Sequence, residues 1–181
     1  MKLVAISGSN SSTSINKVLA TFAAGLFENA DVSVFSMRDF EMPLFGVDLE
    51  KEIGQHHAAQ KFLDIISDAD ILVVSLPENN GSYSSAFKNV FDWASRIRKD
   101  VFQQKPTLLM ATSPGGRGGK SVLELATSNL PRFGMEIKET FSFPLFYQNF
   151  NLEENRIVNP ELEAELRAKV FSLENAIENV G

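Results

Sequence analysis

The sequence contains no cysteine, two histidines and one tryptophan among its 181 residues. A chain without cysteine forms no disulfide, thiolate zinc site, iron–sulfur cluster or redox-active thiol, so any redox chemistry requires a cofactor. The histidines, His56 and His57, are adjacent and would point about 100° apart on a helix, which does not suit a metal pair. The serine-hydrolase motif G-x-S-x-G is also missing, since the nearest match, Asn80 to Ser84, lacks the second glycine. We therefore predict neither a metal site nor a catalytic side chain.

Long hydrophobic runs are missing too. The first apolar run, Leu3 to Ile6, is too short for the core of a secretory signal, and no segment approaches the ~18 apolar residues of a membrane span. Positive charge is sparse, because 17 Lys and Arg oppose 23 Asp and Glu, and the resulting net charge of −6 repels nucleic-acid phosphates. We expect a cytoplasmic protein with no nucleic-acid partner and no membrane span.

Short apolar segments alternate with longer amphipathic segments, which is typical of α/β proteins with a parallel sheet. Strands are predicted at Lys2–Ser7, Asp31–Ser36, Asp70–Leu76, Pro106–Ser113 and Met135–Phe141. Helices are predicted at Ile15–Glu28, Gln55–Ser67, Ser84–Arg98, Gly119–Phe133 and from Asn159 and Pro160 onward, the last with a stripe of Leu162, Leu166, Val170, Leu173 and Ile177. The alternation favours one domain over residues 1–181: a doubly wound, five-stranded parallel sheet with helices on both faces.

Two connections are predicted to be long loops, Met37 to Gly54 and Ser142 to Asn159. The second contains the aromatic stretch FPLFYQNF. Long loops in compact domains are often functional, but these aromatic side chains could equally pack over a sheet edge. The sequence leaves both interpretations open.

The loop after the first strand is rich in hydroxyl groups. Six of the eight residues from Ser7 to Ser14 are Ser or Thr, and a helix is predicted to start directly after them. The N–H groups at a helix start attract anions, and short hydroxyls donate hydrogen bonds without blocking close approach. This composition favours a phosphate-binding loop. The alternative is a Ser/Thr-rich turn that ends in an N-cap, which needs one such residue rather than six.

A set of short motifs extends in order over most of the chain: Gly8-Ser9, Ser14, Asn16, Pro77-Glu78, Asn80, Ser82, Lys88-Asn89, Asp92-Trp93 and Ser95-Arg96. In identity and spacing, this set resembles the NADPH-dependent FMN reductase family of flavodoxin-like proteins, which includes quinone, azo-dye and chromate reductases. The resemblance implies a flavodoxin-like strand order 2-1-3-4-5. It also implies that the first loop holds the FMN phosphate, and that the loops after the third and fourth strands hold the isoalloxazine ring.

The cofactor-binding residues that the resemblance implies are Ser9, Ser11, Ser14, Ile15, Asn16, Pro77, Glu78, Asn79, Asn80, Gly81, Ser82, Ser113, Gly115 and Gly116. Two of them depart from the family pattern, which usually has an arginine at the position of Ser11 and a tyrosine at that of Asn79. A missing charge-assisted bond at Ser11 would weaken phosphate binding by ~1.5 to 3 kcal/mol. Lys17 is close enough in sequence to compensate for it.

The loop after the fourth strand, Thr112 to Ser121, is rich in glycine. It nearly matches a nucleotide-triphosphate P-loop, but Pro114 stands where the first glycine is required. A dinucleotide fingerprint fails at Ser121. Glycines at the end of a strand let backbone N–H groups approach a flat ring edge, where donors would stabilise the negative charge of reduced flavin. A flexible glycine turn is the alternative.

The resemblance implies an NAD(P)H-dependent reductase. In such an enzyme FMN takes hydride from NADPH or NADH and then reduces a quinone-like, azo or other small acceptor in a ping-pong cycle. The resemblance also implies a homodimer or homotetramer. The alternatives are a flavodoxin-like binding or regulatory module, and an electron carrier with weakened flavin binding.

Overall fold

Five parallel β-strands form the central sheet in the computed structural model of the protein, which describes residues 1–178. In chain order they are β1 (Lys2–Ser7), β2 (Asp31–Ser36), β3 (Ile71–Leu76), β4 (Lys105–Thr112) and β5 (Met135–Phe143). Their spatial order is β2-β1-β3-β4-β5, and every neighbouring pair is parallel. The predicted fold class is confirmed by this order. Residues 179–181, which the predicted domain includes, lie outside the described residues.

Helices cover both faces of the sheet. The helices of the described residues are α1 (Ile15–Ala24), α2 (Val47–Ile53), α3 (His57–Asp68), α4 (Ser85–Ile97), α5 (Lys120–Asn129), α6 (Phe146–Asn149) and α7 (Pro160–Glu178). The described chain also has two 3₁₀ turns and one antiparallel hairpin: Met37–Phe40, Leu130–Phe133, and β6 (Phe150–Asn151) paired with β7 (Arg156–Ile157). Within residues 1–178, no helix is long and apolar enough to cross a membrane.

Side chains of the central strands alternate between two cores on opposite faces of the sheet. In β1, Leu3 and Ala5 belong to the core under α1 and α7, whereas Val4 and Ile6 belong to the core under α3, α4 and α5. Every residue of β3 is buried, because helices cover both faces of the sheet there. The predicted apolar stripe of α7 is confirmed, since its residues pack on the first of these cores: Leu162, Leu166, Val170, Leu173 and Ile177.

Two predicted helices are shorter than expected. α1 ends at Ala24 rather than Glu28, and the N–H of Gly25 caps it by donating to the carbonyls of Thr21 and Ala23. α5 ends at Asn129 and continues only as a 3₁₀ turn. Proline inside that turn has no N–H with which to extend the helical hydrogen bonds.

Both predicted long loops contain secondary structure, so predicting them as loops throughout was wrong. α2 lies in the first of them and has no buried residue, so its sequence lacks the apolar stripe on which a helix prediction rests. α6 and the hairpin lie in the second. There Phe143, Phe146 and Phe150 are buried in the core, whereas Tyr147 is 62% exposed. Packing therefore accounts for these three phenylalanines of the aromatic stretch.

Candidate functional site

The loops after β1, β3 and β4 meet at the carboxyl edge of the sheet, where doubly wound folds bind ligands. Two hydrogen bonds join the first loop to β3 and to the start of α4: the N–H of Gly8 donates to the carbonyl of Ser75 at 2.9 Å, and Ser84 Oγ donates to the carbonyl of Gly8. Ser84 also caps α4, because its Oγ accepts from the N–H of Phe87 at 3.0 Å. This close packing favours glycine at position 8, since a Cβ there would lie 2.8 Å from Leu76 Cδ2 and 3.2 Å from Pro77 Cδ.

Hydroxyl groups fold the loop after β1 by bonding to its own backbone. Ser9 Oγ accepts from the N–H of Ser11 at 3.1 Å, and Ser11 Oγ accepts from the N–H of Thr13 at 3.3 Å. Ser14 Oγ then accepts from the N–H of Lys17 at 3.1 Å and so caps α1. Ser14 is thus the N-cap that the alternative interpretation of this loop expects, and the hydroxyls of Ser7, Ser9 and Ser11 bond to the backbone in front of it.

The start of α1 offers unused hydrogen-bond donors beside these hydroxyls. The backbone N–H groups of Ile15 and Asn16 have no acceptor within residues 1–178. They lie at the positive end of the helix dipole, and the exposed Lys17 follows in the same turn. Free N–H groups, hydroxyls and a positive dipole end are the groups that hold phosphates in proteins.

The side chain of Asn16 is used within the protein. It is only 3% exposed, and its Oδ1 accepts from Ser75 Oγ at 2.8 Å and from the N–H of Thr112 at 3.2 Å. Its Nδ2 donates to the carbonyl of Thr112 at 3.2 Å. Sequence reasoning missed Ser75 and Thr112. The available signal was a hydroxyl residue near the end of an otherwise apolar strand, next to a loop with many polar groups.

The loop after β3 is a tight turn. The N–H groups of Asn79 and Ser82 each donate to the other residue's carbonyl at 3.0 Å, while Asn80 and Gly81 take φ angles of 50° and 75°. Asn and Gly are the residues that tolerate such angles at low cost. The turn holds the polar residues of this predicted ring-binding segment in a fixed conformation.

Glu78 joins this turn to the third loop. Its Oε2 accepts from the N–H of Val122 at 3.1 Å, in the first turn of α5. A carboxylate at the positive end of a helix is favourable, so the contact stabilises the approach of the two loops. The structure therefore brings the three predicted groups of cofactor-binding residues to one edge of the sheet.

Tyr83 lies between this turn and α4 and is buried against Phe87, with ring centroids 5.3 Å apart. Its hydroxyl is buried and has no hydrogen-bond partner within the described chain. A buried polar group without a partner costs ~1 to 3 kcal/mol. Burial also raises the pKa of Tyr83 to about 12, from an ordinary value of 10.0.

Tyr83→Phe is expected to raise the free energy of unfolding by about 1 kcal/mol near neutral pH, since it removes the unpaired hydroxyl. In the wild type, the unfolded chain loses the tyrosine proton before the folded one. Stability that is fully present below pH 10 is therefore lost as the pH rises toward 12, by about 3 kcal/mol from this group. The variant should lack this alkaline loss. Urea unfolding at several pH values measures both effects.

The matched control is Tyr147→Phe, which removes the other tyrosine hydroxyl of the chain, on an exposed side chain. It should change the free energy of unfolding by less than about 0.5 kcal/mol. A Tyr83→Phe variant that is less stable than wild type near neutral pH would show that the hydroxyl has a partner after all.

The glycines of the loop after β4 fall into two classes. Gly118 and Gly119 have φ angles of 58° and 74°, and a Cβ on either would lie within 2.7 Å of other atoms of the protein. A Cβ on Gly116 would meet nothing within 4 Å, and a Cβ on Gly115 would meet only Ser113 Oγ, at 3.9 Å. The N–H groups of Gly115 and Gly116 have no acceptor within residues 1–178. Packing of the described chain therefore explains the first class of glycines and leaves the second unexplained.

The two histidines lie outside this edge, at the start of α3. His56 is the N-cap of α3, and its Nδ1 accepts from the N–H of Ala58 at 3.2 Å. Burial, and secondarily the neighbouring His57, lower the pKa of His56. No group of three or more His, Asp or Glu side chains among the described residues could hold a metal ion.

Residues 1–148 match the family model of the NADPH-dependent FMN reductases. The chain is 30% identical to the NADH-dependent flavin reductase subunit 2 of Lactobacillus johnsonii over 68% of this chain and 66% of that one. It is 34% identical to an NAD(P)H-dependent FMN reductase of Pseudomonas aeruginosa over 65% of this chain and 63% of that one. It thus spans slightly less than two thirds of the length of these relatives.

Similarity to a solved structure extends over nearly the whole chain. The flavoenzyme FerB of Paracoccus denitrificans, an NAD(P)H:(acceptor) oxidoreductase, superposes with a TM-score of 0.80 at 20% identity. The superposition covers 98% of this chain and 97% of that one, which shows the shared fold. Because the family model covers residues 1–148, far more than half of the chain, the chain belongs to the NADPH-dependent FMN reductase family.

Proposed function

We propose that the protein binds FMN at the carboxyl edge of its sheet and oxidises NADH or NADPH, with transfer of electrons to a quinone-like, azo or other small acceptor. The observation that carries the proposal is the pair of open glycines, Gly115 and Gly116, whose N–H groups have no acceptor within the described residues. A ligand that comes close to the backbone accounts for glycine where packing does not. Family membership supports FMN as that ligand.

The residues present fit FMN at both of its ends. The N–H groups of Ile15 and Asn16, together with the hydroxyls of the loop after β1, would hold the phosphate without the arginine that the family usually has. The N–H groups of Gly115 and Gly116 would hold the ring edge and favour negative charge there. Proposed contacts also include the rest of the predicted set: Ser9, Ser11, Ser14, Pro77, Glu78, Asn79, Asn80, Gly81, Ser82 and Ser113.

Bound FMN would supply acceptance of hydride from the pyridine nucleotide and delivery of two electrons to the acceptor. With a quinone, the balanced reaction consumes NAD(P)H, the quinone and one proton, and yields NAD(P)⁺ and the hydroquinone. The proposed ping-pong order follows if both substrates use the same exposed face of the site in turn. The role of the protein's own residues is then to bind and orient, which agrees with the predicted lack of a catalytic side chain.

We expect the purified protein to bind FMN in a one-to-one ratio and to oxidise NADH or NADPH only when both FMN and an acceptor are present. Fluorescence quenching of FMN measures the binding, and loss of NAD(P)H absorbance with a quinone measures the reaction. Parallel double-reciprocal plots are expected for a ping-pong cycle. Undetectable FMN binding, or oxidation that persists in flavin-free protein, would contradict the proposal.

A homodimer or homotetramer, a cytoplasmic location and a single domain over residues 1–181 are further parts of the proposal. A second copy of the chain is supported by exposed apolar side chains on and before α2, namely Leu44, Val47 and Ile53. α2 has no buried residue within the described chain, so a partner copy would cover surface that the fold leaves exposed.

A further inference from the structure

The carboxamide of Asn16 lies where β3 and β4 separate. The last pair in their ladder is Leu76 with Ala111, and the next residue on the β3 side is Pro77, which has no N–H to continue the ladder. β4 nevertheless extends to Thr112. There the side chain of Asn16 takes the place of a further β3 residue. Its Oδ1 accepts from the N–H of Thr112 and its Nδ2 donates to the carbonyl of Thr112, both at 3.2 Å.

The same carboxamide is bonded to β3. Ser75 Oγ donates to Asn16 Oδ1 at 2.8 Å, so this oxygen accepts two hydrogen bonds. All the groups involved are buried: Asn16 is 3% exposed, Ser75 0% and Thr112 1%. Breaking one of these bonds would leave a buried polar group without a partner, which is costly. The hydrogen bonds therefore hold the Asn16 side chain in one conformation.

The position of Asn16 connects the two halves of the proposed site. Its backbone N–H is one of the free donors in the first turn of α1, on the phosphate side. Its side chain holds Thr112, and the ring-binding loop begins at the next residue, Ser113. On the other side of this loop, the N–H groups of Leu145 and Phe146 donate to the carbonyls of Gly115 and Ser113 at 3.0 and 3.2 Å. On the side of α1, the contact with the end of β4 is the side chain of Asn16.

We propose that Asn16 is a positioning residue: its side chain fixes the end of β4, where the loop 113–116 begins, relative to α1, and only its backbone N–H serves the phosphate. This inference rests on the proposed function. It differs from the role implied by the family resemblance, which assigns Asn16 to the phosphate. A side chain in contact with phosphate affects only ligands that carry one, whereas a positioning side chain affects the ring as well.

The test compares the binding of FMN with that of riboflavin, which has the same ring and no phosphate. In Asn16→Ala, we expect both affinities to fall by a similar factor, roughly tenfold or more, so that their ratio stays within about twofold of wild type. A loss confined to FMN, or no loss for either flavin, would overturn the proposal. If riboflavin binds too weakly to titrate, the midpoint potential of bound FMN replaces it, since altered ring contacts shift this potential and a lost phosphate contact does not.

Asn16→Asp gives a second readout, measured over the pH range in which its circular dichroism matches that of the wild type. The aspartate can still accept from Ser75 and from the N–H of Thr112, but it can donate to the carbonyl of Thr112 only when protonated. Its affinity for riboflavin should therefore increase as the pH is lowered, whereas wild type and Asn16→Ala should show no such increase. An Asn16→Asp profile that is flat with pH would contradict a role for this donation.

Thr107→Val is the matched control. Thr107 is buried at the opposite end of β4, and its Oγ1 donates to the carbonyl of Lys105 at 2.9 Å. The variant loses one part-buried hydrogen bond on the same strand, so it should lower stability and leave both flavin affinities unchanged. Wild-type protein that binds no flavin would refute the proposed function itself, whereas a phosphate-specific loss in Asn16→Ala would refute only the positioning role of the side chain.

Discussion

Replacing Gly116 with valine is expected to lower the affinity for FMN by about 100-fold, or nearly 3 kcal/mol, while the free energy of unfolding changes by less than about 1 kcal/mol. The backbone at Gly116 is not in the left-handed region, and a Cβ there would meet nothing within 4 Å. The fold should therefore accept valine. A flavin ring edge held by the N–H of this residue would collide with the isopropyl group. Fluorescence titration with FMN and urea unfolding of the flavin-free protein measure the two effects.

Gly118→Ala is the control within the same loop. Gly118 has a φ of 58°, and a Cβ there would lie 2.6 Å from Ser142 Oγ and 2.8 Å from the backbone nitrogen of Pro144. We expect this variant to lose about 3 kcal/mol of stability, because both the backbone angle and the packing oppose a side chain. FMN binding equal to wild type in Gly116→Val would show that the open glycine does not approach a ring.

The difference between Gly116 and Gly118 shows what the sequence predicts about the loop after β4 and what it does not. A run of glycines after a strand indicates that a backbone comes close to something. It does not tell whether the neighbour is a ligand or another part of the chain. For Gly118 the neighbour is the end of β5 at Ser142 and the following Pro144, and only the folded structure brings these residues together.

The sheet itself could be predicted, because local patterns determine most of it. The fully buried β3 is a continuous apolar run, and α7 has a regular apolar stripe. α2 could not be predicted from an apolar stripe, since none of its residues is buried. Predictions based on burial patterns find the elements that build the core and miss those that lie on the surface.

The candidate site, like the fold, could be predicted from the sequence only in part. The hydroxyl-rich loop and its N-cap are contiguous in sequence, so their composition was sufficient to predict them. The partners of Asn16 are 59 and 96 residues away in sequence, at Ser75 and Thr112, and Glu78 meets Val122 across 44 residues. Such contacts arise because parallel strands place their carboxyl ends at one edge. Their polar residues become neighbours only in the folded protein.

Trp93 on α4 packs against the segment between the 3₁₀ turn Met37–Phe40 and α2. It is the one tryptophan of the chain and is fully buried, its Nε1 donates to the carbonyl of Pro43 at 2.8 Å, and its ring meets Phe45 edge to face at 5.2 Å. Asn89, one turn earlier on α4, holds the same segment, because it accepts from the N–H of Phe45 at 2.7 Å and donates to the carbonyls of Met42 and Pro43. The side chains of Asn89 and Trp93 thus both bind residues 42–45 to α4.

Trp93→Ala is therefore expected to lower the free energy of unfolding by about 4 kcal/mol, since it removes a large buried ring and leaves a cavity. Trp93→Phe retains an aromatic ring and loses the bond to Pro43, so a loss of about 1 to 2 kcal/mol is expected. Urea unfolding followed by circular dichroism measures both, because neither variant retains tryptophan fluorescence. Equal losses in the two variants would mean that the hydrogen bond, rather than the buried ring, holds the segment. If Trp93→Ala lost less than about 1 kcal/mol, residues 42–45 would be held by Asn89 alone.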